Sequence, residues 1–140
     1  MENLITSNKY SPKGQKLDAV YCSNDSTANG VTNALLSAGY DASNFPVITG
    51  QDCDIVSMKN MLKGYQSMSI FKDTRTLAAQ VVKMVEAIMS GTTVPVNDTK
   101  TYNNNVKVVP SYLCDPVFGD LSNYKSLLID SGYYKESELK

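Results

Sequence analysis

Apolar and polar positions alternate along the chain in a pattern that repeats three times. "AVYCS", residues 19–23, is a short apolar run that stops at the polar pair Asn24-Asp25, as expected of a strand buried on both faces. In the following "STANGVTNALLSAG", Ala28, Val31, Leu35 and Ala38 recur at spacings of three, four and three. This is the stripe of an amphipathic helix, with Ser26 or Asp25 as its cap and Gly39 as its terminator. "FPVITG" at 45–50 predicts a second strand, and "QDCD" then leads into a helix with Ile55, Met58, Met61, Leu62 and Tyr65 on one side and Gly64 near its end. "SMSIF" at 67–71 predicts a third strand. It is followed by a long helix capped by Asp73 or Thr74, striped by Leu77, Val81, Val85 and Ile88, and stopped at Gly91.

Three strand-turn-helix units in succession predict an α/β fold built on an open parallel sheet with right-handed crossovers. The remaining third changes character. "TTVPVNDTKTYNNN" is polar and turn-rich, "VKVVPSYL" at 106–113 is extended with Pro110 marking an edge or bulge, and "LSNYKSLLIDSGYY" predicts a closing helix. Asn103, Asn104 and Asn105 form a polar loop.

Composition narrows the function. With 140 residues the chain allows one domain, and its 42% apolar and 19% charged residues are ordinary for a globular protein. A formal net charge of −1 supplies no field for nucleic acid or anionic lipid. Histidine is absent, which removes the commonest general base and the commonest metal ligand. Cys22, Cys53 and Cys114 are widely spaced, with no CxxC pair, and suit buried thiols rather than zinc or a disulfide framework. There is no GxGxxG or GxxxxGK[ST] loop and no nucleophile paired with a base, so neither a nucleotide cofactor nor catalysis is expected. No run resembles a leader peptide or a membrane span.

Chemistry is therefore sought at the carboxyl ends of the strands, where open parallel sheets bind ligands. The first end carries Ser23, Asn24 and Asp25, the second Thr49, Gln51 and Asp52, the third Lys72 and Asp73. An amide (Asn24), a carboxylate (Asp52) and an ammonium (Lys72) together match the hydroxyls of a sugar, each of which both donates and accepts. Taken singly, the three equally suit a cap, a turn residue and a solvated charge, and Asp25 and Asp73 suit helix N-termini.

"LDAVYCSNDSTANGVTNALLSAG", "VITGQDCD", "GYQSMSIFKD", "LAAQVVKMVEAIMSG" and "VPSYLCDPV" together closely resemble the sugar-binding proteins of bacterial ABC transporters, in the xylose-binding and multiple-sugar-binding branch of the type I periplasmic-binding fold. The resemblance covers nearly the whole chain. It implies a monosaccharide ligand, an aldose such as xylose, held by Asn24, Asp52 and Lys72, with Asp25 and Gln51 supporting. It also implies delivery to an ABC permease, a periplasmic or extracellular location for the family, and no enzymatic activity. The alternative it leaves open is a sugar sensor coupled to a histidine kinase or regulator.

Members of this family are much longer, with two lobes and a hinge, and the chain resembles only their final portion. The expectation is a fragment, from a split gene, an internal start or a designed piece, that forms a partial lobe. Residues 1–72 would then belong to the sugar-binding lobe, 73–105 to a hinge crossing and a helix normally packed on the other lobe, and 106–140 to the returning hinge segment and tail. Without the other lobe the aromatic platforms for a sugar ring are absent, and there is no tryptophan to replace them. The stripe of the long helix is expected to be covered by self-association or by a complementing N-terminal half.

Overall fold

The apolar stripes identified above become helices in the computed structural model, which describes residues 1–140. After a short helix α1 (Glu2–Asn8), strand β1 (Ala19–Val20) leads to α2 (Asp25–Ser37), β2 (Val47–Ile48) to α3 (Ile55–Leu62), and β3 (Ser69–Phe71) to α4 (Thr74–Met89). Strand β4 (Val117–Gly119), a π-helical turn (Lys125–Asp130) and a 3-10 turn (Glu136–Glu138) complete the chain. Two compact units result, one of residues 1–71 with 117–140 and the other of residues 72–116.

In the first unit β1 and β2 are parallel, with Ala19 opposite Val47 and Val20 opposite Ile48. A parallel bridge between Gln51 and Ile70 carries the pairing on to β3. The strand-helix alternation is the expected one, but the ladders are shorter than the predicted runs. Side-chain hydroxyls replace carbonyls as ladder partners: Ile48 N–H donates to Ser67 Oγ at 3.2 Å and Cys22 N–H to Thr49 Oγ1 at 2.9 Å. The outer neighbour of β3 is β4, which runs antiparallel with Ser69 opposite Gly119. This strand has no signal in the sequence because Val117 and Phe118 are both exposed and no apolar alternation marks them.

Two apolar clusters form the core of this unit. Ala28, Val31 and Leu35 of α2 pack with Cys22, Tyr40 and Ile48, while Met58 and Met61 of α3 pack with Cys53, Phe71, Leu128 and Leu139. Leu35, Ile48, Met58, Met61 and Leu128 are fully buried, and each contributes about 1.5–3 kcal/mol by leaving water. The predicted α3 face is narrower than expected: the helix ends at Leu62, which is exposed, and Tyr65 falls in the turn beyond Gly64, where φ is +80°. The predicted closing helix is the single π-helical turn that buries Leu128. Asn29 Oδ1 joins the two helices, accepting from Asn60 Nδ2 at 2.9 Å and from Ser57 Oγ at 3.2 Å.

In the second unit α4 starts at Thr74 with Asp73, one of the two expected caps, as its N-cap, the carboxylate accepting from Arg75 N–H at 2.9 Å. The unit ends in an extended segment that pairs Asp98 with Ser111 and Asn103 with Val108. Between them the asparagine loop is closed by its own amides, Asn103 accepting from Asn105 N–H at 2.8 Å and Asn104 from Lys107 N–H at 3.0 Å. No helix is long and apolar enough to cross a membrane.

Candidate functional site

The loops that follow β1 and β2 meet through a backbone bond, Asp25 N–H donating to Gln51 C=O at 2.8 Å. Asn24 and Asp52 lie one residue to either side of it, so the two strand-end loops present an amide and a carboxylate from adjacent positions. Thr49, at the same strand end, is turned inward and pins the first loop, its hydroxyl donating to Cys22 C=O at 3.1 Å.

The roles of the neighbouring Asn24 and Asp25 are the reverse of those expected of a capping aspartate. Asn24 is the N-cap of α2, its Oδ1 accepting from Thr27 N–H at 2.9 Å and from Thr27 Oγ1 at 2.8 Å. Asp25 does not cap its own helix and does not reach solvent; its exposure is 0%. Its carboxylate accepts from Asp54 N–H at 2.8 Å, Gln66 Nε2 at 2.9 Å and Ser69 Oγ at 2.9 and 3.0 Å. The physical reason is position on the helix. Asp25, Ala28, Thr32 and Leu35 share one buried face, so a side chain at 25 points into the fold, and its charge survives there only with several donors. Asp54 is the residue before α3, so Asp25 in effect serves the N-terminus of the next helix. Burial raises the Asp25 carboxyl above its ordinary value, the bonds from Gln66, Asp54 and Ser69 oppose this, and the nearby Asp54 charge adds to it.

Gln51 is half-buried and sits in the bridge to Ile70, which makes it part of the sheet. Asp52 is exposed and has a left-handed backbone with φ +105°, followed by Cys53 with φ +54°. Two consecutive non-glycine residues in this region are strained, and the surrounding structure holds them. Asp52 N–H donates to Ile70 C=O at 2.8 Å, Cys53 N–H to Ser69 Oγ at 3.0 Å, and Tyr134 OH to Cys53 C=O at 3.1 Å. Burial pushes the Cys53 thiol up to about 11, so it remains a neutral core group. Cys22 is likewise buried, Cys114 is partly exposed, and all three cysteines are free.

Lys72 directly follows Phe71, the last residue of β3, and opens the second unit, where it is exposed. Beside it Asp73 is engaged by Arg75 Nη2 at 2.7 Å, and that guanidinium holds its carboxyl below the usual range. Sequence reasoning missed Gln66, Ser69 and Tyr134, which hold the Asp25 carboxylate and the backbone of Cys53. Ser69 left one trace, a polar residue at an inward position of an otherwise apolar strand.

What this arrangement can do is hydrogen-bond a polyhydroxyl. Asp52 offers an anionic acceptor, and Asn24, with Oδ1 committed to the helix, offers its Nδ2 as a donor.

The periplasmic binding protein domain family matches residues 1–93. The chain is 48% identical over 126 residues to a multiple sugar-binding periplasmic receptor of Rhizobium radiobacter, covering 89% of this chain and 36% of that protein. It is 38% identical over 139 residues to the D-xylose-binding periplasmic protein of Escherichia coli, covering 99% of this chain and 39% of that one. An ABC transporter solute-binding protein from Clostridium phytofermentans, solved with bound β-D-glucose, superposes with a TM-score of 0.90 at 65% identity, covering 99% of this chain and 42% of that one. The chain thus spans well under half the length of each of these relatives.

Proposed function

The chain belongs to the periplasmic binding protein domain family, and from that premise we propose that it forms part of a monosaccharide site of an ABC sugar transporter's solute-binding component, with an aldose as ligand. Asn24 Nδ2 and the Asp52 carboxylate each engage ring hydroxyls, and Lys72, the residue after β3, is the third proposed ligand. Asp25 and Gln51 support these contacts through the backbone rather than by touching sugar. The observation that carries the reading is the exposed Asp52, presented in a strained left-handed turn at the end of a parallel strand, where this fold class binds ligands. The relatives' ligands, xylose in one and β-D-glucose in another, supply the substrate class. The ABC permease is the proposed recipient of the sugar.

Affinity should be modest. Hydrogen bonds to charged groups are worth about 1.5–3 kcal/mol each, and part of that is offset by the freedom a bound sugar loses. Two or three such bonds place Kd at roughly 1 mM, about −4 kcal/mol. NMR titration of the chain with D-xylose, D-glucose, D-galactose and L-arabinose should shift the Asn24 side-chain and Asp52 backbone signals with one or more of them. The reading fails if no aldose moves these signals at a concentration on the order of 100 mM, at which a site of that strength is saturated.

A further inference from the structure

The Asp52-Cys53 turn is the one place in the chain where two consecutive residues have positive φ. Each non-glycine residue held there costs about 1–2 kcal/mol, and such a conformation lasts only where its surroundings over-determine it. Three of the bonds that hold it come from groups the sheet and the buried polar cluster already contain: Ile70 C=O, Ser69 Oγ and the Asp25 carboxylate. The fourth comes from far along the chain. Tyr134, 81 positions from Cys53, donates its hydroxyl to the Cys53 carbonyl at 3.1 Å. Cys53 is fully buried, so without that donor its carbonyl would have no solvent to turn to.

The hydroxyl is aimed by packing. The Tyr134 ring lies edge-on to Tyr133 with centroids 4.9 Å apart, and Tyr133 lies edge-on to Phe71 at 4.8 Å. Tyr134 N–H donates to Leu128 C=O at 2.9 Å, which fixes the backbone beneath the ring. Burial raises the phenol to about 12, so it remains a donor across the neutral range.

We propose that Tyr134 is a positioning residue for sugar binding: by holding the Cys53 carbonyl it keeps the left-handed turn in place and so orients the Asp52 carboxylate toward the ligand. The C-terminal segment thereby takes part in ligand recognition without touching the ligand. This rests on the reading of Asp52 as a sugar contact.

The test uses the full chain and Y134F, which keeps the ring and removes only the donor. In native-state hydrogen exchange the Cys53 and Asp54 amides should exchange about tenfold faster in Y134F, the effect of losing one hydrogen bond. The Leu35 amide, in the other apolar cluster, should not change. In titration with β-D-glucose, Y134F should weaken binding about threefold to tenfold and D52N at least as much, while Y134F combined with D52N should be within about twofold of D52N alone. Unchanged exchange at Cys53 and Asp54, or equal acceleration at Leu35, overturns the proposal, as do losses that add in the double variant. If the wild-type chain shows no response to any sugar, the functional reading fails on its own, taking the sugar-orienting role with it, and the exchange measurement still decides whether Tyr134 holds the turn.

Discussion

Replacing Gly50 with alanine should damage the molecule at its most crowded polar point. A Cβ built on Gly50 would lie 2.1 Å from Asp25 Oδ1 and 2.5 Å from Gln66 Nε2, well inside any tolerable contact. Neither group has room to retreat: Asp25 is 0% and Gln66 3% exposed. Moving Asp25 would also break its bonds to Asp54 N–H at 2.8 Å and Ser69 Oγ at 2.9 Å. The backbone at Gly50 is itself held, its carbonyl accepting from Ile70 N–H at 3.1 Å. The smallest adjustment is loss of the bond from Gln66 Nε2 to Asp25, a hydrogen bond to a charged group worth about 1.5–3 kcal/mol. Residual crowding brings the expected loss to about 3 kcal/mol, within the range for breaking a buried network. Gly30 provides the control. It lies within α2, and a Cβ there meets nothing within 4 Å, so G30A should stabilise by about 0.5–1 kcal/mol through helix propensity. Urea unfolding followed by far-UV circular dichroism would compare the two variants. A loss under about 1 kcal/mol in G50A would refute the claim that the Asp25 cluster is rigid, since a collapsible cluster would absorb the methyl at small cost.

The cap and ligand roles of Asn24 should separate. N24A should lose about 1 kcal/mol of stability with the α2 cap, whereas N24D should stay within about 0.5 kcal/mol of wild type in urea unfolding and still weaken glucose binding, because it lacks the amide donor. The acidic groups predict a stability profile with two limbs on either side of 3.8, the ordinary aspartate value. Asp73, Asp98 and Asp120 have lowered folded-state values, held by Arg75, by Thr101 and by Ser122 respectively, so their contribution is lost as pH falls below 3.8 through those values. Asp25 has a raised value, so the folded state binds its proton more tightly than the unfolded chain does. Its contribution therefore declines as pH rises from 3.8 through the raised value, and D25N should flatten that upper limb in unfolding curves taken across the acid range. Leu77, Val81, Val85 and Ile88 of α4 are between 47% and 65% exposed. The double variant V81E/V85E should therefore cost less than about 0.5 kcal/mol, and it should lower the mass seen by light scattering at high concentration if copies of the chain meet through this face.

The parts of the molecule legible in its sequence are those whose cause is local. A stripe at helical spacing implies a buried face, and α2, α3 and α4 appear where the stripes predict them. Short polar residues after apolar runs mark strand ends, and Asn24 and Asp52 stand there. Asp25 was legible in principle, because the same stripe of α2 runs back from Leu35 through Thr32 and Ala28 to position 25. The preference of aspartate for helix N-termini masked this, and the inward direction imposed by the helix prevailed over that preference. The remaining support was hidden because its donors are far off in the chain: Gln66 is 41 positions from Asp25, Ser69 is 44, and Tyr134 is 81 from Cys53. No local pattern reports such a pairing. The distinction bears on how the motif works. "GQD" supplies a carboxylate at a strand end, but an aspartate with φ +105° stays in that conformation only because Ile70, Ser69, Asp25 and Tyr134 between them hold the backbone around it. The same three letters in a chain lacking those partners would relax to ordinary backbone and point the carboxylate elsewhere, so the proposed sugar contact depends on the buttressed turn as much as on the residue it displays.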